Sequence, residues 1–252
     1  TIKENPLYEA AINHATNLIA VSETVRQELS KAFPTLADRI RIIPNWLDER
    51  TRHPLSRKEA RAHFGIKKFW AIAVIGQITP LKRQDLFLEA IRLLTANNAY
   101  ERAEFFIIGA ANPTDQAYEM KLKTMAREMG LADRIHFTGL VAELPKYLPA
   151  FDIVVVPSEN EGFSLATIEA MAAGCAVIAT ESGGLAEIIE QHKTGLLFEP
   201  GNAELLAQDL RYLLIDNMTR KQIGQAAQTK ARERYDRERI ISQIETLYAG
   251  AT

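Results

Sequence analysis

From about Phe69 onward, short runs of β-branched and aromatic residues alternate with longer amphipathic segments, and few folds accommodate that rhythm. The strand candidates are residues 69–76 (FWAIAVIG), 103–109 (AEFFIIG), 134–139 (RIHFTG), 152–158 (DIVVVPS), 176–180 (AVIAT) and 195–199 (GLLFE). Between and after them lie helix candidates near 84–97, 115–129, 143–150, 165–173, 185–191 and 203–215. The strands are almost continuously apolar. Apolar strands separated by helices indicate a parallel sheet buried on both faces.

Six strands in this alternation predict a Rossmann-like, doubly wound α/β domain. The first part of the chain reads differently. NLIAVS (17–22) is another strand, a helix follows to about Lys31, and a second apolar run ends at Pro44. Ser56 and Glu59 form a plausible capping box for a helix running to Phe64 and closed by Gly65. Two strands and one helix are too little for an independent domain. They read as the last βαβ unit of a preceding domain whose other strands are missing. Thr219 to Ala249 reads as two helices broken near Tyr235 and Asp236. The second carries Ile240, Ile241, Ile244, Leu247 and Tyr248 at helical spacing, a stripe that needs a partner surface. The expected division is residues 1–48 for the remnant unit and linker, 49–235 for the main domain, and 236–252 for a closing helix packed toward the missing domain.

Composition narrows the function classes. The 252 residues are 47% hydrophobic and 25% charged, as in ordinary globular proteins. A formal net charge of −2 gives no basic footprint for nucleic acid. The single cysteine, Cys175, rules out an intramolecular disulfide and multi-cysteine metal sites, and its apolar surroundings predict a buried small hydrophobe. The five histidines show no metal-ligand spacing, and His136 alternates within a strand, where a structural role is expected. No run approaches the roughly 18 to 20 apolar residues of a membrane span. There is no signal-peptide pattern, although Thr1 is not a native N-terminus. The expectation is a cytoplasmic protein, either free or peripheral at the inner membrane face.

The chemistry concentrates in EGFSLATIE, Glu161 to Glu169. Glu161 falls in the loop after one strand and Glu169 in the second turn of the next helix. Ligands of open α/β sheets bind outside the carboxyl ends of the strands. Helical side chains lean toward the helix N-terminus, so Glu169 points back over the turn beginning near Ser164 and Leu165. Free amides there favour an anion, ideally phosphate, and a carboxylate beside it can accept hydrogen bonds from sugar hydroxyls. Lys82 follows a glycine-terminated strand by six residues, where it can serve as a point charge on phosphate. Gly183 and Gly184 read mainly as a close-packed turn beside this pocket, with Glu187 an outside candidate for a ligand contact.

The order PSENEGFSLATIEAMAAG, strand, ESGGLAEII, TGLLFEPGN, preceded by IPNWLD, VIGQITPLKRQD and HFTGLV, resembles the C-terminal donor-binding domain of retaining GT-B glycosyltransferases, family four (glycosyl transferases group 1). The resemblance covers nearly the whole chain. It implies the C-terminal half of a GT-B fold and a nucleotide-diphosphate sugar as donor. It also implies metal-independent chemistry with no cofactor, in glycan or surface polysaccharide synthesis, and a missing N-terminal acceptor domain as partner. By it, Glu161 is the first glutamate of an E-x7-E motif and lies against the transferred sugar, while Glu169 binds the ribose. Gly162 admits the ligand close to the backbone, and the amides of Phe163, Ser164 and Leu165 face sugar and phosphate. Lys82 holds the diphosphate, and the turn ending at Val141 frames the base. The family's arginine after the strand glycine is here Gln77; Arg83 is expected to replace that charge. The chain alone is expected to bind donor and to transfer sugar slowly or not at all. A glycoside hydrolase, a GT-B nucleotide-sugar epimerase and a non-catalytic nucleotide-sugar binding module are the competing readings.

Overall fold

The alternating apolar runs form one six-stranded sheet, every strand parallel to its neighbours. This is a computed structural model, which describes residues 11–250 apart from 13 and 96–100. The sheet strands are β3 (Trp70–Ile75), β4 (Ala103–Ile108), β5 (Ile135–Gly139), β6 (Ile153–Val156), β7 (Ala176–Thr180) and β8 (Leu196–Phe198), in the order β5-β4-β3-β6-β7-β8. Renumbered from one, that is 3-2-1-4-5-6, the doubly wound order with its switch between β3 and β6.

Period-two alternation sorts the strand residues to two cores. Ile72, Val74, Phe105, Ile107, Ile153 and Val155 face one side; Ala71, Ala73, Phe106, Ile108, Val154 and Val156 face the other. The first side is covered by α3 (Gln84–Thr95), α4 (Gln116–Glu128) and α8 (Ala203–Ile215), through residues such as Phe87, Leu122 and Leu210. The second is covered by α2 (Arg57–His63), α6 (Leu165–Ala172), α7 (Gly183–Ile188) and α9 (Asn217–Arg234), through Ala60, Met171, Leu185 and Ala227. Cys175 is buried in this second core, and burial pushes its thiol up to about 12. His136 stacks on Phe106 and its Nε2 lies 2.9 Å from the buried Glu104 carboxylate, the structural role expected of it.

Three helix expectations shift. The segment expected over 143–150 splits into α5 (Leu144–Tyr147) and a 3₁₀ turn at Leu148–Ala150. Pro149 has no amide to continue the helix. The helix expected over 185–191 starts at Gly183 and stops at Ile188. Beyond it the Glu190 amide donates to the Thr194 hydroxyl and His192 turns to φ 60°, so the chain folds back instead. Residues 96 and 97 of the helix expected over 84–97 lie outside the described residues. The capping box at Ser56 and Glu59 is present, as is the break between α9 and α10 (Arg237–Ala249). Among the described residues no helix is long and apolar enough to cross a membrane.

Before the main sheet, β1 (Leu18–Ala20) and β2 (Ile40–Ile42) pair in parallel around the crossover helix α1 (Glu23–Ala32). This unit is fastened to the larger sheet by a side chain from α7. Both Glu187 oxygens accept at 2.8 Å, one from the Glu23 amide and the other from the amide and hydroxyl of Thr24. A carboxylate from another element thus caps the N-terminus of α1, satisfying orphan amides and meeting the positive end of the helix. Glu187 therefore serves as a strut here. The following linker is strapped to the last helix pair: the Leu47 amide donates to the Tyr235 carbonyl, and Arg52 pairs with Asp236 and Glu238. On α10, Ile240 is buried and Tyr248 is 72% exposed, while Leu247 shares a cleft with Ile42 and Ile43. Replacing the cap, Glu187→Ala is expected to lower stability in urea unfolding by about 1–2 kcal/mol.

Candidate functional site

Where the strand order reverses, the loops after β3 and β6 leave in opposite directions and open a crevice at the carboxyl edge. Here the two loops are stitched together. The Glu159 amide donates to the Leu81 carbonyl at 3.1 Å, and Arg83 reaches the Glu159 carboxylate at 2.9 Å. The deepest stitch joins the two residues singled out from the sequence: the Lys82 ammonium donates to the Glu161 carboxylate, across 79 residues of chain. Ser158 donates to the same carboxylate oxygen at 3.0 Å. The Glu161 side chain is 11% exposed and that of Lys82 32%, so the carboxylate is the more deeply buried partner.

Lys82 is carried by one 3₁₀ turn, Pro80–Lys82, which ends with Arg83 in the left-handed region at φ 49°. That turn aims consecutive cations apart. The Arg83 guanidinium is engaged by Asp85 and Glu159. Although burial works against it, these two carboxylates hold its proton more tightly than usual. Gln77 is exposed, and its carbonyl accepts from the side chain of Gln84 at 2.9 Å. Gln84 is buried, and its side-chain oxygen has no partner among the described residues.

On the β6 side, Ser164 caps α6 by accepting from the Thr167 amide, so the amides just before it have no intrahelical acceptor. The Phe163 ring turns away and packs edge-on against the buried Tyr235, leaving backbone toward the crevice. Leu165 is 47% exposed at the helix start. The loop can lie this deep only because three positions lack a side chain. A Cβ on Gly162 would come 2.9 Å from Val25 of α1, and Cβ atoms on Gly183 and Gly184 would strike the carbonyls of Glu161 and Gly162 at 2.5 and 2.3 Å. The double glycine is thus a packing turn, as expected, although it forms the first turn of α7. Across the sheet, Val141 is half-buried against the second core beyond the bend at Gly139.

Glu169 lies one turn into α6 and is half-buried, and its carboxyl group makes no hydrogen bond among the described residues. Burial pushes that carboxyl up to about 7; Asp48 adds to the rise and Arg50 opposes it. Asp48 and Arg50 come from the linker and are bonded to each other. Sequence reasoning missed both, together with Ser158 and Glu159. Only the latter two carried a usable signal, being among the polar residues between the strand end and Glu161.

Known proteins decide the family. The profile of glycosyl transferases group 1 matches residues 56–230. The chain belongs to this family. Among curated glycosyltransferase relatives, a D-inositol 3-phosphate glycosyltransferase of Paenarthrobacter aurescens is 30% identical over 223 residues, 87% of this chain and 54% of that relative. An N-acetyl-alpha-D-glucosaminyl L-malate synthase of Bacillus anthracis is 27% identical over 246 residues, 97% of this chain and 62% of its own. This chain thus spans about half to three-fifths of those two relatives' lengths. Among solved structures, Anabaena Alr3699/HepE in complex with UDP-glucose superposes with a TM-score of 0.88 at 25% identity, covering 99% of this chain and 68% of that one. A sucrose-phosphate synthase from Thermosynechococcus elongatus gives 0.82 at 26%, covering 97% and 60%. These matches establish this group 1 chain as a parallel-sheet domain of GT-B type.

Because folded Glu169 keeps its proton up to about 7, against 4.5 for an ordinary glutamate, the folded state binds the extra proton between those values. Stability from this group is therefore greatest below about 4.5 and falls as pH rises toward 7. Thermal unfolding between pH 5 and pH 8 is expected to show that decline, and Glu169→Gln to remove about 1–3 kcal/mol of it. An unchanged pH profile in the variant would contradict this assignment.

Proposed function

We propose that the chain is the donor-binding part of a retaining, family-four glycosyltransferase that moves a sugar from a nucleotide-diphosphate sugar to an acceptor in glycan or surface polysaccharide synthesis. The observation that carries this reading is the meeting of Lys82 and Glu161 at the switch point, beside the open N-terminus of α6. Breaking the anomeric C–O bond leaves negative charge on the diphosphate and positive charge on the sugar. In the donor complex Lys82 exchanges Glu161 for the diphosphate, with the amides near Leu165 adding their partial charge. Arg83 stands behind Lys82 as the second cation, in place of a charge at Gln77. Glu161, released from Lys82, turns to the sugar hydroxyls. Glu169 takes the ribose hydroxyls, its unbonded carboxylate being available for them, and the turn at Val141 frames the base. A similar protein solved with UDP-glucose supports a nucleotide sugar as the ligand class.

No metal or cofactor is assigned to the step. Among the described residues no group of three or more histidines, cysteines or carboxylates could hold a metal ion. We place acceptor recognition in a preceding domain, with residues 1–48 its last unit and 236–252 the helix that returns to it. The protein works in the cytoplasm or against the inner face of the membrane.

Calorimetric titration with uridine, guanosine and adenosine diphosphate sugars is expected to find one that binds. At pH 8, where Glu169 is ionised, Glu169→Ala should weaken it by about 10- to 100-fold, the loss of a charge-assisted contact to two hydroxyls. If none of the three binds, the donor-site reading fails. The isolated 252-residue chain is also expected to transfer sugar slowly or not at all, and robust turnover by it would place the acceptor site within these residues.

A further inference from the structure

A second cavity lies at the opposite end of the sheet. It has a volume of ≈ 800 Å³ and is lined where strands begin, by Trp70 at the start of β3, Arg102 before β4, Asp152 before β6 and Gly174 before β7. β3 is six residues long, so about 20 Å of strand separates this cavity from the crevice holding Lys82 and Glu161.

Its charge is out of proportion to the chain. Seven of its lining residues are lysine or arginine and one is acidic, a local formal charge of +6 in a chain whose total is −2. Asp152 is shared between Arg57, at 2.8 Å, and Arg61, at 3.7 Å. Among the described residues no carboxylate comes within ion-pair distance of Lys67, Lys68, Arg102, Arg220 or Lys221. Arg220 is only 6% exposed. Its guanidinium stacks 4.0 Å over Trp70 and donates to the Leu213 carbonyl and to Asn217. Burying an arginine beside neutral partners is costly unless an anion completes its surroundings. The 18-residue helix α9 begins at the same place, Asn217 lining the cavity, and its N-terminus is capped by Asp216, whose carboxylate accepts from the Thr219 amide and hydroxyl.

The structure also holds these cations in place. The buried Glu104 accepts from the amides of Lys67 and Lys68, at 2.9 and 2.7 Å, and so fixes the backbone from which both ammonium groups project. Arg102 lies over the ring of Phe69, which is 54% exposed at the rim. Fixed arginines with donors in a fork, and mobile lysines supplying point charge, are the groups that recognise phosphate.

We infer that this cavity binds a multiply charged phosphate-bearing anion, at a site separate from the donor crevice. The ligand chemistry is two or more phosphate charges held by Lys67, Lys68, Lys221 and the arginines behind them. Such a ligand is either a soluble polyphosphate-type anion or the headgroup of an anionic phospholipid, with Phe69 then resting in the interface.

The test uses sodium tripolyphosphate in calorimetry and phosphatidic acid in phosphatidylcholine vesicles for co-sedimentation. The wild-type chain is expected to bind at least one of them. The triple variant Lys67→Ala, Lys68→Ala, Lys221→Ala should lose at least about tenfold in affinity, with its thermal midpoint close to wild type. A control removing equal charge elsewhere, Lys31→Ala, Lys123→Ala, Lys193→Ala, should bind as wild type. Binding of tripolyphosphate alone identifies a soluble ligand. Vesicle binding that Phe69→Ser abolishes identifies the lipid source. The site is overturned if neither probe binds, if the triple variant binds as wild type, or if the control weakens binding equally. Donor-nucleotide binding is titrated separately, so failure of either site is distinguishable from failure of the other.

Discussion

The polar chemistry of the sheet is forced toward the ends of the strands, because the six-stranded sheet is buried on both faces. Consecutive residues such as Ala71 and Ile72, or Val154 and Val155, belong to opposite cores, and the buried carboxylate of the sheet, Glu104, sits near a strand start with amide and His136 partners. The two edges then differ in kind. Crossover helices such as α6 begin at the carboxyl edge, so unbonded amides gather there and attract anions through backbone alone. At the amino edge most helices end, and positive potential has to come from side chains. That is where the arginines and lysines around Asp152 are found.

The carboxyl edge is held in a poised arrangement. Lys82 and Glu161 neutralise each other, while Arg83 is neutralised by Asp85 and Glu159. The loops could have been kept apart by their divergence at the switch point. Instead the Leu81 to Glu159 backbone bond keeps them in register, so the lysine and glutamate hold fixed positions at low cost in side-chain entropy. The glycine contacts among residues 162, 183 and 184 do the same for the backbone, leaving α1 directly above the loop through Val25.

How much of this could be read in the amino acids depends on the range of the interaction. The strands were legible because burial on both faces writes itself as local runs such as AEFFII, and the place of Glu161 and Glu169 followed from strand and helix ends alone. Helix boundaries failed where a single contact decided them, as at Thr194 and Glu190. The environment of Glu169 was not legible. Burial raises its proton affinity most, and the charged groups that modulate it, Asp48 and Arg50, lie far away in sequence and reach it only through the path of the linker. Nor was the basic cavity. Its cations are scattered from Arg57 to Lys221, each unremarkable in its own segment, and only strand order gathers them. Glu187 fell between these cases: its segment was singled out, but the amides it caps belong to a unit more than 160 residues earlier.

The cavity at the amino edge also gives the whole molecule a direction. With +6 collected there and −2 overall, the rest of this chain carries a formal −8, so its charge is unevenly distributed. In low salt a molecule of this kind turns in the field of a charged object before touching it, over distances of about a Debye length. An anionic surface using the site inferred there meets Phe69 and its neighbouring lysines, while Lys82 and Glu161 lie at the opposite ends of the strands.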